Sequence, residues 1–494
     1  MDRRSDNSSM WAIKLPSELS GDEAQEKLAQ IAAEHGCRVL GRVANLKDYF
    51  LIEHDPNHSR KRSIEGSLQD HPDVEWAGFQ HARFQQKRLP AITDPLYASQ
   101  WHLHNSAGVD LSVVPAWEAG YSGRGVGVSI VDDGLEWRHG DLGEARYMRA
   151  ASHDWNGKDD DPSPASYDDT HGTSSHFWSH DRRHAGALSY HTDENFVFSA
   201  SWGPTDDGLR KEGPGTLLLA AMTEAITNGR NGKGTIYVWA GGNGGARDNV
   251  NYDGYANSIY TVTIASVDSN GRHASYSEEG ACIIASSPSS PPGISTTAVR
   301  GNCNTRFGGT SAAAPMISGV VALMLEANPN LGWRDVQDIL IRTARKNDAT
   351  DPGWVNNGAG LHVNHKYGFG LVSASAAVVR AADRSRALLP PNVAPFVSTN
   401  QALPALDIPD NSPTGVTVTF TVDHLRVVLV SPVGTRSVLA VPHGDTHAHY
   451  TGWTFTSVRH WGENPMGVWK LILSDETANN VGQFNRAILT VRGH

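Results

Sequence analysis

Four apolar runs constrain this chain more than any other feature: GVGVSIV, FVFSAS, TIYVWA and IYTVTIAS, each short and bounded by Gly, Asp or Asn. A strand with one wet face alternates apolar and polar residues, whereas unbroken apolar runs suit strands buried on both faces of a parallel α/β sheet. Functional residues of such sheets gather at the carboxyl ends of the strands. Asp132, Ser201 and Asn243 stand at three of those ends.

Composition excludes several classes. The 494 residues include 49 Gly and 25 Pro, too few and too irregular for a collagen-like or low-complexity chain, and 39% are apolar, which suits a globular protein. A formal net charge of −11 leaves no nucleic-acid footprint and favours cationic partners. The longest apolar stretch, Met316 to Leu325, falls short of the roughly 20 residues a bilayer requires, so no transmembrane helix is expected. The first ten residues, MDRRSDNSSM, are polar and offer no apolar signal-peptide core. Three cysteines (Cys37, Cys282, Cys303) allow one bridge at most.

Different patterns flank the parallel-sheet region. Residues 11 to 88 read as a small α+β module: WAIKL, YFLIEH and VEWAGF are strand candidates. Ser20 with Glu23 forms a capping box before a helix whose apolar face is Ala24, Leu28, Ile31 and Ala32, stopped near Gly36. This module carries Arg60-Lys61-Arg62 and ends in the basic run from His81 to Arg88. After the Pro-rich segment ALLPPNVAPF, the runs VTVTFTV, LRVVLVS, RSVLAVP, WTFTSV, VWKLILS and AILTVRG predict short strands of an antiparallel sandwich.

The central region holds the chemistry. VDDGLEW places Asp132 at a strand end, YDDTHGT supplies His171, and GGTSAAAP sets Ser311 at the start of a helix. An acid, an imidazole and a hydroxyl in the order Asp, His, Ser form a serine nucleophile system: His171 takes the Ser311 proton and Asp132 fixes the imidazole tautomer. The Gly-rich VWAGGNGG brings the Asn243 amide close enough to stabilise an oxyanion. Singly, Asp132 or Asn243 would suit a turn, His171 a core site and Ser311 a helix cap; their joint order and context carry the reading.

The chain resembles the kexin/furin-like proprotein convertases among the subtilases. The strings are TDPLYASQWHLHN, DDGLEW, HGT, SASWGPTDDG, VWAGGNGG, YDGYANSIYT, GTSAAAP and KYGFG, with SPVGTRSVL, WTF and HWGENPMGVW towards the end. The resemblance implies an α/β fold with a subtilisin-like three-layer parallel-sheet peptidase domain (89–385). An α+β, ferredoxin-like inhibitory propeptide (1–88) precedes it, and an antiparallel β-sandwich P domain (386–494) follows. It also implies a zymogen that cuts itself after Arg88 and then Arg62, and a monomer that processes precursor proteins after Lys-Arg or Arg-Arg in the secretory pathway. Its propeptide is its own inhibitor. The first basic side chain would meet Asp206 and Asp253 beside Ser201, Trp202 and Gly203; the second would meet Asp133 and Asp168, with Glu212 a third acidic position. Calcium (Ca2+) is the implied cofactor, at Asp154, Asp159 and Asp161 and at Asp206, Asp248 and Glu278, with Glu279 competing for the last place. A flexible acidic loop is the plainer reading of the Asp-rich run. His54 matches a pH-sensing propeptide histidine, or is simply exposed.

The match breaks after His171. SSHFWSHDRRHAGALSYHTDEN stands where the family has an apolar helix, a calcium loop and a buried strand, and only 30 residues separate His171 from Ser201. On the order of 30 residues are replaced or lost, more than a loop accounts for. A calcium site using Asp94 and Asp141 would lack its loop ligands, and the expected partners of Cys282 and Cys303 are missing. His176, His180 and His184 have helical spacing but lack the acid of a zinc site. A second reading is therefore a catalytically inactive relative in which His171 loses its packing.

Overall fold

The computed structural model describes residues 10–43, 46–54, 66–80, 92–143, 146–164, 171, 181–390, 396–397, 425–444, 450, 452–475 and 487–492. The chain divides into two compact units, Met1–Gln86 and Lys87–His494.

In the first unit, β1 (Met10–Lys14), β2 (Cys37–Arg42), β3 (Tyr49–His54) and β4 (Trp76–Phe79) form an antiparallel sheet in the order β2-β3-β1-β4. The helix Gly21–Glu34 buries the predicted face, Ala24, Leu28, Ile31 and Ala32, against Trp11, Ile13, Phe50 and Ile52. Its capping box is formed: Ser20 Oγ accepts from the Glu23 amide at 3.4 Å, and the Glu23 carboxylate accepts from the Ser20 amide at 2.9 Å. Gly36, at φ 62°, ends it where a left-handed residue is needed. Two expectations change. CRVLGR is a strand that its weak alternation hid, and His54 is buried at 2% exposure at the end of β3 opposite Cys37, not exposed.

The second unit is built on a parallel sheet: β5 (Gly127–Val131), β6 (Asn195–Ala200), β7 (Ile236–Ala240), β8 (Thr261–Val267) and β9 (Ala285–Pro288), in spatial order. The four predicted runs are β5 to β8. Burial of each aliphatic side chain contributes about 1.5–3 kcal/mol, so β7 and β8, buried at every residue, anchor the unit. β5 departs from the expectation of two buried faces. It is the edge strand, no described strand pairs its outer side, and Ile130 is 44% exposed.

The helix Thr310–Ala327 packs on β6, β7 and β8. By length and composition it would suit a bilayer, which the sequence reading did not foresee, but it is mostly buried inside the fold and serves as the core helix. The helices Thr216–Gly232, Trp333–Thr343 and Ala374–Ala382 share its core. Asp181 accepts from the Leu217 amide at 2.9 Å, an acid at a helix N-terminus as the helix dipole favours. A hairpin of β10 (Ile294–Ala298) and β11 (Asn302–Phe307) leads into the core helix, and β12 (Val355–Asn356) pairs with β13 (His362–Val363).

The C-terminal part is antiparallel. β14 (Phe396–Val397) pairs with β18 (Thr490–Val491), and β15 (Leu425–Val430) lies between β16 (Arg436–Ala440) and β17 (Lys470–Asp475). WTFTSV is not a strand. Its amides turn to the parallel-sheet part instead: Thr456 donates to Asn257 Oδ1 at 2.7 Å and Val458 to the Ala281 carbonyl at 3.0 Å. VTVTFTV lies outside the described residues. All three cysteines are free.

Candidate active site

Ser311 is the second residue of the core helix, entered through Gly309 at φ 74°. Pro315 has no N–H for the Ser311 carbonyl one turn earlier. Ser201 Oγ donates to that carbonyl at 3.2 Å and takes the missing donor's place. Thr310 N and Oγ1 both donate to Asn243 Oδ1, at 2.8 and 3.0 Å. The amide oxygen is thus engaged, and Asn243 Nδ2 is left for a ligand.

On the other side, His171 Nδ1 lies 3.3 and 3.4 Å from the two Asp132 oxygens. A carboxylate only accepts, so Nδ1 carries the proton and Nε2 is the basic nitrogen. Burial, the largest influence, would lower the His171 pKa, but the hydrogen bond and charge of Asp132, with Asp133, outweigh it and raise the pKa. Phe307, at the end of β11, sets its ring against the imidazole at 5.8 Å and 66°. No hydrogen bond joins His171 to Ser311.

Around Asn243 and Gly203 lies a group of acids, Glu278 buried and Asp206 and Asp253 half-buried. Asp253 Oδ1 accepts from the amides of Tyr255 (2.7 Å) and Ala256 (3.2 Å). Its Oδ2 comes so close to Gly203 that a Cβ there would sit 2.5 Å away, the reason this wall needs glycine. Asp206 Oδ2 accepts from the Asn243 amide at 2.6 Å, and Glu278 accepts from the Gly244 amide at 3.0 Å. Burial raises Asp206, pushes Asp253 up to about 8 and holds Glu278 well above the usual carboxylate range, with neighbouring acids adding to each shift. Glu212 joins through the backbone, its carbonyl accepting from the Gly254 amide at 2.8 Å. Trp202 is fixed by its indole bond to the Val131 carbonyl (2.8 Å) and by rings of Trp239 and His184. Asp133 follows Asp132 directly and donates its amide to the Asp132 carboxylate at 2.9 Å.

Residues 180–370 match the Subtilase family, 413–491 the proprotein convertase P-domain and 10–88 the peptidase S8 pro-domain. The Endoprotease bli of Onchocerca volvulus is 35% identical over 569 residues, covering 93% of this chain and 82% of that protein. The chain belongs to the proprotein convertases, subtilisin-like serine endopeptidases. Endoprotease bli-4 of Caenorhabditis elegans is 36% identical over 561 residues, 92% of this chain, and the chain spans only 59% of its length. Both alignments exceed the 494 residues of the chain, so these convertases carry stretches with no counterpart here. The Subtilase match begins at residue 180, within SSHFWSHDRRHAGALSYHTDEN, and leaves Asp132 and His171 outside it. The crystal structure of the Aeromonas sobria serine protease in complex with its chaperone shares the fold, with a TM-score of 0.64 and 23% identity over 81% of this chain and 92% of that one.

Calcium, the cation this family suggests, needs converging hard oxygens. The loop Asp154 to Asp161 fits in part: Asp154 Oδ2 and Asp159 Oδ2 face the same space over Gly157, at 2.6 and 3.2 Å from where a Cβ would stand. Bonds from Ser163 and from the Trp137 indole hold Asp161 ionised, down at about 2. The all-carboxylate chemistry of Asp206, Asp248 and Glu278 also fits, because a cation would relieve the raised Asp206 and Glu278. Among the described residues, however, no three His, Cys, Asp or Glu side chains converge as ligands. Glu279 is exposed, tied to Asn249 through its backbone. Asp94 caps the Leu96 amide and Asp141 lies beside His139, apart from each other's partners.

Asp168, Arg62, Arg88, His176 and His180 lie outside the described residues. His184 stacks on Trp202 at 4.5 Å. Three residues that shape the site went unread: Thr310, which orients Asn243, Phe307 against His171, and His443, which reaches Asp248. Thr310 was within reach as the Ser311 neighbour; the other two contacts span long stretches of chain.

Proposed function

We propose that the chain is a calcium-dependent serine endopeptidase that processes precursor proteins after Lys-Arg or Arg-Arg and is made as a self-cleaving zymogen. The observation that carries this reading is the half-buried acid pair Asp206 and Asp253, one bonded to Asn243 and the other against Gly203: desolvated carboxylates whose pKa is raised are stabilised by a guanidinium or ammonium group. His171 Nε2 takes the Ser311 proton as Oγ attacks the scissile carbonyl, Asp132 stabilises the imidazolium, and Asn243 Nδ2 donates to the oxyanion. His171 then returns the proton to the leaving amine. Asp133 and Asp168 would take the second basic side chain and Glu212 a third, while Ser201, Trp202 and Gly203 align the substrate backbone. Asp154, Asp159 and Asp161, and Asp206, Asp248 and Glu278, would hold calcium, whose charge offsets these acids.

The propeptide, domain 1–88, would act as inhibitor until cut after Arg88 and Arg62, leaving a monomeric peptidase and P domain of the secretory pathway. The alternative of an inactive relative gains no support from the family membership. A fluorogenic Lys-Arg peptide tests the reading. Turnover should require calcium and Ser311 and should vanish when Ala replaces Arg at the cleaved position; equal turnover of the Ala peptide would sink the specificity.

A further inference from the structure

We propose that His443, from the segment after β16, is a positioning residue for the first specificity pocket, so that the C-terminal β module itself sets the geometry of the acidic wall. This deepens the proposed function and rests on it. Three contacts converge. The His443 side chain is 1% exposed, and its Nε2 donates to Asp248 Oδ1 at 3.1 Å. Its ring lies on Tyr252, centroids 4.0 Å apart and planes within 24°, and Tyr252 directly precedes Asp253. The next residue, Gly444, donates its amide to the Gly208 carbonyl at 2.9 Å, two residues beyond Asp206.

The segments that bear Asp206, Asp248 and Asp253 are therefore all held by one short stretch of a module remote in sequence. Gly208 N closes the ring by donating to Asp248 Oδ2 at 2.9 Å, and the Asn249 amide donates to Asp248 Oδ1 at 2.7 Å. The Asp248 carboxylate thus has both oxygens directed, and His443 is the donor that does not come from its own or an adjoining loop. Tyr252 Oη donates to the Val441 carbonyl at 2.8 Å, fixing the other end of the segment. Removing the imidazole donor leaves Asp248 Oδ1 held by the neighbouring Asn249 amide alone and uncovers the Tyr252 ring beneath it. Outer partners that orient a binding group commonly change affinity by about 10–100-fold.

Binding, read apart from turnover, tests the inference. In the self-processed chain, calorimetry would compare peptides ending in Lys-Arg and in Lys-Lys, which carry no bond beyond the basic residue to cut, with and without His443→Leu, which keeps bulk but loses the donor, and His443→Gln, which keeps a donor. His443→Leu should weaken the Arg peptide about 10-fold and alter the Arg-to-Lys preference, with His443→Gln close to the parent. If the Leu variant does not fold, His443→Asn, too short to reach Asp248, serves in its place and should show the same loss. Unchanged affinity and preference in either folded variant overturns the proposal, as does a Gln variant no better than Leu. A parent chain that binds neither peptide contradicts the proposed function instead.

Discussion

The two halves of the site are built to different standards. Ser311 and Asn243 rest on the interior of the sheet, on β7 and the core helix, with bonds of 2.8 and 3.0 Å between Thr310 and Asn243. Asp132 ends the edge strand β5, whose Ile130 is 44% exposed, and its bonds to His171 are 3.3 and 3.4 Å. Ser311 and Asn243 are placed by a packed core, His171 and Asp132 by a strand that lacks an outer neighbour among the described residues. The family membership and the break after His171 meet at this seam.

Mutations that test each half should differ in kind. Ser311→Ala should remove about 10⁶-fold of kcat. Asp132→Asn should remove about 10⁴-fold by upsetting the imidazole tautomer. A loss under tenfold for Asp132→Asn, measured with a dibasic peptide, would mean that the edge half does not take part. Asn243→Ala should lower kcat by about 10²–10³-fold and leave KM nearly unchanged, since the amide meets the oxyanion and not the ground state. A rise in KM alone would reassign it to substrate binding.

Stability should divide along the same seam. Ile264→Ala, in fully buried β8, should destabilise by about 2–5 kcal/mol, while Ile130→Ala on the edge should cost less than about 1 kcal/mol in urea unfolding. Equal losses would show that β5 is covered after all.

The pH dependence is the smallest expected effect. Asp253 is pushed up to about 8 by burial, against an ordinary value near ~3.9 in the unfolded chain. The folded state therefore holds the proton more tightly, and that contribution, complete below about pH 4, is lost as pH rises towards 8. The calcium-free protein should melt a few degrees lower at pH 8 than at pH 5, and Asp253→Asn should flatten the slope. An unaltered slope would place the titration elsewhere.

What was legible in the sequence was local. The runs that became β5 to β8, the capping box of Ser20 and Glu23, and the residues Asp132, Asn243 and Ser311 announce themselves through period, cap chemistry and strand ends. Exposure of β5 was not legible, because an apolar run does not tell whether a neighbour covers it. WTFTSV carries a strand composition, yet its amides find partners at Asn257 and Ala281, tertiary bonds that no propensity encodes. His443 and Asp248, 195 residues apart, meet only once two modules pack.

The most direct measurement is the intact mass and N-terminal sequence of the purified chain in calcium, beside Ser311→Ala. Self-cleavage requires both halves of the site, the acidic pocket and the Lys87-Arg88 sequence at once. The account predicts a new N-terminus at Leu89 that is absent from the Ser311→Ala chain. An uncut chain that is folded by circular dichroism would contradict it.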